Sequence, residues 1–436
     1  MKNPGLLRSK RTVAALAAAG ALTLVAACGG GGESVTGGSK KDGKVTITMG
    51  LFGVMGIEET GLLERYEKEN PGVDIKAEIA GDEQTYYTAL QTRLAAGKGL
   101  KDIQGIEIAR AKEITETQAD KFADFSGMTG TDHFLPWKQS QITTSDGKVL
   151  GLGTDIGPMA VCYRKDYFEK AGLPTDREEV GKLWAGDWAK LIEVGEDYQK
   201  KAPKGTTFMD SPGGLISAIL SSEKERFYNS SGEIIYKTNP AVKRAFDLTA
   251  EAAEKGLVGA QTQFQPSWDQ TIANNKFAAI ACPPWMLGYI KGKSKADAAG
   301  KWDVALAPKS GNWGGSFLTV PKSGKNVEEA KKLAAWLTAP EQQAKLFAVQ
   351  GSFPSSPPAY SMPEVTDAKN DMTGDAPIGK IFAEAAKQIP LQVIGPKDQI
   401  IGQGLADNGV ILVTKGKSPE EAWETATKTI DNNLDK

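Results

Sequence analysis

The chain carries one histidine, His133, among 436 residues, and that count removes much catalytic chemistry. A Ser-His-Asp or Cys-His site would have to rest on it. His133 lies in "TDHFLPW" beside Pro136, a loop setting, and reads as structural or solvent-facing. Zinc sites built from several histidines are excluded, and there is no Cys-x-x-Cys. The Gly-x-Ser-x-Gly elbow and the calcium-loop pattern are both absent. "GYIKGKS", 288 to 294, leaves one residue too few between Gly288 and Gly292 for a phosphate loop and reads as a solvated turn. "GLFGVMG" lacks the dinucleotide-binding glycine spacing. No catalytic residue, metal or cofactor is expected.

What the sequence does offer is aromatic residues in breaker-rich stretches. Trp268 follows Pro266 in "QPSWDQ", Trp285 follows two prolines, and Trp313 stands in "GNWGG". A core tryptophan more often lies inside a periodic element, as Trp336 does in "KLAAWL"; one beside breakers more often faces a cleft or partner. Acids recur where strands end: Asp82, Glu107, Asp155 and Asp210. Strand ends are where open α/β sheets bind ligands, although each acid could equally be a helix cap. A sugar ring suits such a set. Its C–H face stacks on indole, and its hydroxyl rim donates to carboxylates and amides.

The elements that must hold these residues alternate. "KVTITMGLF" is a strand, "GIEETGLLERYEKENPGV" a helix stopped at Asn70-Pro71-Gly72, "VDIKAEIA" a strand, "EQTYYTALQTRLAAGKG" a helix and "KDIQGIEIA" a third strand. That alternation predicts a parallel sheet wrapped by helices. Further strands are expected in "MAVCY", "KFAAIACPPW", "WDVALAP" and "GGSFLTVPK", and a helix pair broken at Pro340. The last helix opens at "SPEEAW" with a capping box between Ser418 and Glu421. At 40% hydrophobic, 24% charged and a net charge of -2, with no basic cluster, the chain is globular and not built for nucleic acid.

The start of the chain is not part of this plan. Lys2, Arg8, Lys10 and Arg11 precede an apolar run, Val13 to Val25, which Ala26 and Ala27 end. This is the pattern of a secretory signal peptide, too short for a comfortable membrane span. Cys28 directly after Leu-Val-Ala-Ala resembles the lipobox of bacterial lipoproteins. That likeness implies cleavage before Cys28, a diacylglycerol on its thiol and a flexible Gly/Ser/Lys-rich tether through residue 43. Cys162 and Cys282 remain; after export they could form a disulfide or stay as two buried thiols.

The lipobox, "KVTITMG", "GLGTDIGPMAVCYRKDYFEKAGLP", "KFAAIACPPWM", "NWGGSFLTVPK" and "GKSPEEAWETA" together resemble the sugar-binding lipoproteins of ABC importers. "CYRKDYFEKAGLPTDREEVGKLW" is most similar to the actinobacterial cellobiose and cello-oligosaccharide binders; xylo-, chito- and malto-oligosaccharides stay open. The resemblance implies a two-lobed α/β periplasmic-binding-protein fold of type II, with a ligand cleft between lobes joined by hinge crossings. The implied organisation is a signal peptide 1–27, a tether 28–43, an N-terminal lobe of 44–155 plus 314–355 and a C-terminal lobe of 156–313 plus 356–436. Crossings are implied near 154–158, 305–314 and 351–358. Trp285 matches the family's stacking aromatic, and Trp313 lies at the "GG" crossing. Asp82, Glu107 and Asp155 fall where first-lobe polar contacts occur, and Asp210 at a second-lobe contact segment; Trp268 is a candidate from its breaker-rich setting alone. Gln399 and Gln403 fall near a further contact that is often aromatic, though no Trp or Tyr stands there. The expected partners are an oligosaccharide, permease subunits and the membrane through Cys28, with the protein a monomer on the outer face of the cell membrane. A secreted glycoside hydrolase is the alternative in another class, and a surface adhesion protein a third.

Overall fold

The computed structural model describes residues 40–41 and 43–435. The expected signal segment 1–27, Cys28 and nearly all of the tether 28–43 lie outside the described residues.

Strand Lys44–Phe52 places Ile47, Met49 and Leu51 in the core, as its alternation requires. It runs parallel to Val73–Ala80, from Val45 opposite Val73 to Phe52 opposite Ala80, and parallel to Ile103–Glu107. Ser316–Thr319 then lies between Ile103–Glu107 and Gly151–Gly153, antiparallel to both. The three strands of the predicted alternation are parallel, as expected, and Ser316–Thr319 makes the whole sheet mixed. The reason is connectivity: Ser316–Thr319 returns directly from the other half of the molecule instead of through a helix on this sheet. Apolar side chains cover both faces, one around Leu62, Tyr66 and Leu333, the other around Tyr86, Leu90 and Ile114.

A second, four-stranded sheet has the order Trp302–Leu306, Ala160–Arg164, Phe277–Cys282, Thr207–Met209. The two central strands are antiparallel and buried along their whole length. Their residues divide by the two-residue period. Val161, Tyr163, Ala279 and Ala281 face one cluster with Trp184 and Phe246, while Ala160, Cys162, Ile280 and Cys282 face another with Trp268 and Trp302. Cys162 and Cys282 share that second face and are joined as a disulfide, with their Cα atoms 5.4 Å apart.

Three chain segments run between the two sheets and pair with one another. Asp155–Ile156 lies antiparallel to Phe353–Pro354. On the other side the Trp313 N–H donates to the Gly157 carbonyl at 2.9 Å, and the Met159 N–H to the Gly311 carbonyl. The middle crossing is thus at 311–315; residues 305 and 306, which the family likeness assigned to it, belong to strand Trp302–Leu306 of the second sheet. Helix Pro340–Gln350 joins the two halves as well, with Leu346 in the first core and Ala344 and Phe347 in the second. "GYIKGKS" is not a turn: residues 286–293 are helical, and Gly288 packs against Gln350. The Ser418–Glu421 capping box is formed.

Candidate ligand-binding cleft

A cleft of about 370 Å³ opens between the two halves, within the range of about 300–1,000 Å³ usual for small-molecule sites. Its floor is aromatic. Trp285 and Trp313 stand edge to face, with ring centroids 5.4 Å apart, and the Trp285 Nε1–H donates to the Trp313 carbonyl at 3.0 Å. Trp285 sits at the start of helix Met286–Lys293, where Pro283 and Pro284 end the preceding strand. Phe264 and Tyr289 extend the cluster, 6.1 and 6.0 Å from Trp285. The Tyr289 hydroxyl reaches across the cleft towards Gly53 in the first half.

The backbone makes room for this pair at two glycines. A Cβ at Gly157 would collide with the Trp313 carbonyl oxygen, and Gly314, at φ 81°, leaves space for the Trp285 indole. Gly157→Ala is expected to lower the unfolding free energy by about 1–3 kcal/mol, as overpacking does. Chemical denaturation would read it, with Gly72→Ala, which meets nothing within 4 Å, as the control that stays near wild type.

The first half supplies acids at strand ends. Asp82 caps helix Glu83–Ala96 through the Thr85 N–H, and Glu107 caps Ile108–Thr117 through the Ala109 N–H. Both also line the cleft, so the capping and lining readings hold together. Asp155 lines it from the first crossing, where its Oδ1 accepts from the Ser316 N–H at 2.9 Å and the Thr154 hydroxyl at 2.6 Å. From the second half, Gln399 and Gln403 face the cleft on helix Asp398–Asp407.

Two expected contacts are corrected. Trp268 and Asp210 do not line the cleft; they are 0% and 1% exposed. Pro266 occupies the first turn of helix Pro266–Ala273, a position where its missing N–H costs nothing. The proline that suggested a loop therefore starts a helix, which buries Trp268. Asp210 lies behind the wall and accepts from the Trp268 Nε1–H at 2.8 Å and the Gln263 Nε2–H at 2.7 Å. His133 is half-buried, with Nδ1 3.0 Å from the Ser356 hydroxyl, away from the cleft lining.

Sequence reasoning missed Gln263, Phe264, Tyr289 and the Arg226–Asp398 pair, all on the cleft. Arg226 donates to Asp398 at 2.8 Å, so this base enters the cleft already neutralised. Phe264 holds φ at 64°, a costly conformation for a bulky side chain and one that gathers at functional sites. Nothing in "QTQFQPS" marks it.

A profile of the bacterial extracellular solute-binding protein family matches residues 61–373. The chain belongs to that family. A crystal structure described as an extracellular solute-binding protein family 1 member is 37% identical and covers 89% of this solute-binding protein and 99% of its own chain, with a TM-score of 0.77. The arabinooligosaccharide-binding protein of Bacillus subtilis (strain 168) is 25% identical over 84% of each chain. The lactose-binding protein of Rhizobium radiobacter is 28% identical over 55% of this chain; that match spans 58% of the relative's length. The architecture of this solute-binding protein is the two-lobed type II periplasmic-binding-protein fold.

Charge in the cleft of this solute-binding protein is tuned by burial. The Glu107 carboxyl is pushed up to about 7, first by burial and then by Glu83; the Ala109 N–H, Lys138 and Arg110 pull the other way. Glu83 is itself held by Arg110 at 3.2 Å. Lys138, fully buried with its Nζ 3.9 Å from the Phe317 ring centre, is pushed down to about 8 by burial, against the pull of Asp155 and Glu107.

Because the folded value of Glu107 lies above its ordinary 4.5, the native state holds a proton that the unfolded chain has released. Its contribution to stability is complete below the unfolded value and is lost as pH rises through about 7. Glu107→Gln keeps an acceptor for Ala109 and removes that loss. Between pH 5 and pH 8 the variant's Tm is expected to fall less than that of wild type. Asp210, pushed up to about 6 by burial, keeps a residual slope of the same sign. Equal slopes in both proteins would refute the assignment.

Proposed function

We propose that this protein captures a neutral oligosaccharide outside the cell and delivers it to the permease subunits of an ABC transporter. The observation that carries the reading is the edge-to-face Trp285–Trp313 pair on the cleft floor, facing carboxylates and amides from both halves. Indole faces take the C–H side of a pyranose, and Asp82, Glu107, Asp155, Gln263 and Gln403 take its hydroxyls. The names of the lactose- and arabinooligosaccharide-binding relatives support a sugar; the sequence likeness to cello-oligosaccharide binders favours cellobiose or cellotriose. In this reading the lobes are 44–155 plus 314–355 and 156–313 plus 356–436. They close as a hinge on the three paired crossings, and the monomer is held to the outer face of the membrane by lipid on Cys28.

Thermal shift and calorimetry test the reading on a panel of cellobiose, cellotriose and xylo-, chito-, malto-, galacto- and arabino-oligosaccharides. A ligand at 100 times its dissociation constant should add about 2.7 kcal/mol of stability. A panel with no shift removes the proposal. Mass spectrometry of the N-terminal peptide from native membranes should find the diacylglycerol on Cys28, and Cys28→Ala should release the protein.

One observation favours a second reading. A carboxyl held near pH 7, such as Glu107, is what the acid of a glycoside hydrolase needs. Incubation with the bound oligosaccharide should leave it intact; cleavage products would favour the hydrolase instead.

A further inference from the structure

Gln263 is 8% exposed and borders the cleft. Its side-chain amide has two ends with opposite hydrogen-bonding character, and which end faces a ligand decides what that ligand must present. The group behind it settles the matter. Asp210 Oδ2 lies 2.7 Å from Gln263 Nε2 and 2.8 Å from Trp268 Nε1. An ionised carboxylate only accepts, so the amide nitrogen must point inward and the amide oxygen towards the cleft. Trp268 fixes the carboxylate in turn, since an indole N–H only donates. Gly214 packs against the Gln263 amide where a Cβ would press on its nitrogen, leaving no side chain to pull the amide aside. Both donors meet the same oxygen, Asp210 Oδ2.

We infer that Asp210 is a positioning residue: through Gln263 it turns an acceptor oxygen into the cleft and so selects ligands that place a hydroxyl or other donor on the second-half wall. The inference rests on the sugar-binding reading and deepens it. A ligand whose only polar groups there are acceptors, such as a carboxylate or phosphate, meets an oxygen from Gln263. The base on the cleft, Arg226, already has its charge paired with Asp398 at 2.8 Å.

The closing experiment has a ligand-free arm and a ligand arm, both on the full chain. In the first, ¹⁵N-glutamine and ¹⁵N-tryptophan labels report the Gln263 amide and the Trp268 indole of the free protein. Both should exchange slowly with solvent, and both should shift and lose protection in Asp210→Asn. A wild-type Gln263 amide exchanging at the rate of an exposed glutamine overturns the orientation. In the second arm, the sugar found by the panel is titrated into wild type, Asp210→Asn, Gln263→Met and the double variant. Each single change should weaken binding about tenfold, as loss of one well-placed hydrogen bond does. The double variant should bind within twofold of Gln263→Met alone, because Asp210 has no route to the ligand except Gln263. Multiplying losses overturn the inference, as does unchanged affinity in Gln263→Met. If no sugar on the panel binds wild type, the functional reading and the ligand half of this inference fall together, while the labelled amide still decides the orientation.

Discussion

Truncating Trp285 to alanine is expected to weaken sugar binding at least thirtyfold, roughly 2 kcal/mol or more, the scale of a central aromatic anchor. The size follows from three losses at one place. The stacking face disappears, Trp313 loses its edge-to-face neighbour, and the Trp313 carbonyl loses the indole N–H. Trp285→Phe keeps a ring but not the N–H, so it should recover most of the affinity if stacking dominates. Calorimetry on folded samples of both variants decides between them. Alanine and wild type binding equally would remove the tryptophan pair from the site.

Removing the second lobe's disulfide should cost about 2–5 kcal/mol of unfolding free energy. Cys162 and Cys282 are separated by 120 residues, and closing so long a loop in the unfolded chain is entropically expensive. Both sulfurs sit in a fully buried cluster, so the double alanine change also leaves a void. Urea unfolding of Cys162→Ala/Cys282→Ala, followed by second-lobe tryptophan emission, measures the loss. A midpoint unchanged from that of the oxidised wild type would show that the bridge contributes nothing.

Local signals in the sequence carried far. The strand of 44–52, the helix stops and the Ser418 cap depend on neighbours a few residues apart, and each formed where its residues placed it. Trp285 and Trp313 stand on the cleft because glycine and proline around them prevent a regular element from swallowing the rings. What could not be read was long-range. The strand order of the first sheet depends on Ser316–Thr319, more than 160 residues beyond its neighbour Gly151–Gly153, and no periodicity announces that. Trp268 misled because Pro266 means a break inside an element but a beginning at its first turn. Asp210 misled because an acid at a strand end can face the cleft or support its wall, and only its distances to Trp268 and Gln263 distinguish the two. Arg226 and Asp398 are 172 residues apart; neither carries any local mark of the other.

The position of Ser316–Thr319 between Ile103–Glu107 and Gly151–Gly153 also governs assembly. Synthesis proceeds from the amino end, yet the strand that links Gly151–Gly153 to the rest of the first sheet emerges after most of the chain. Until then Gly151–Gly153 has no edge to join, and Ile103–Glu107 presents an unpaired one. Such a nascent chain, with its pairing this remote, folds slowly and stays open for long. The first sheet is therefore completed only after every strand of the second has been made.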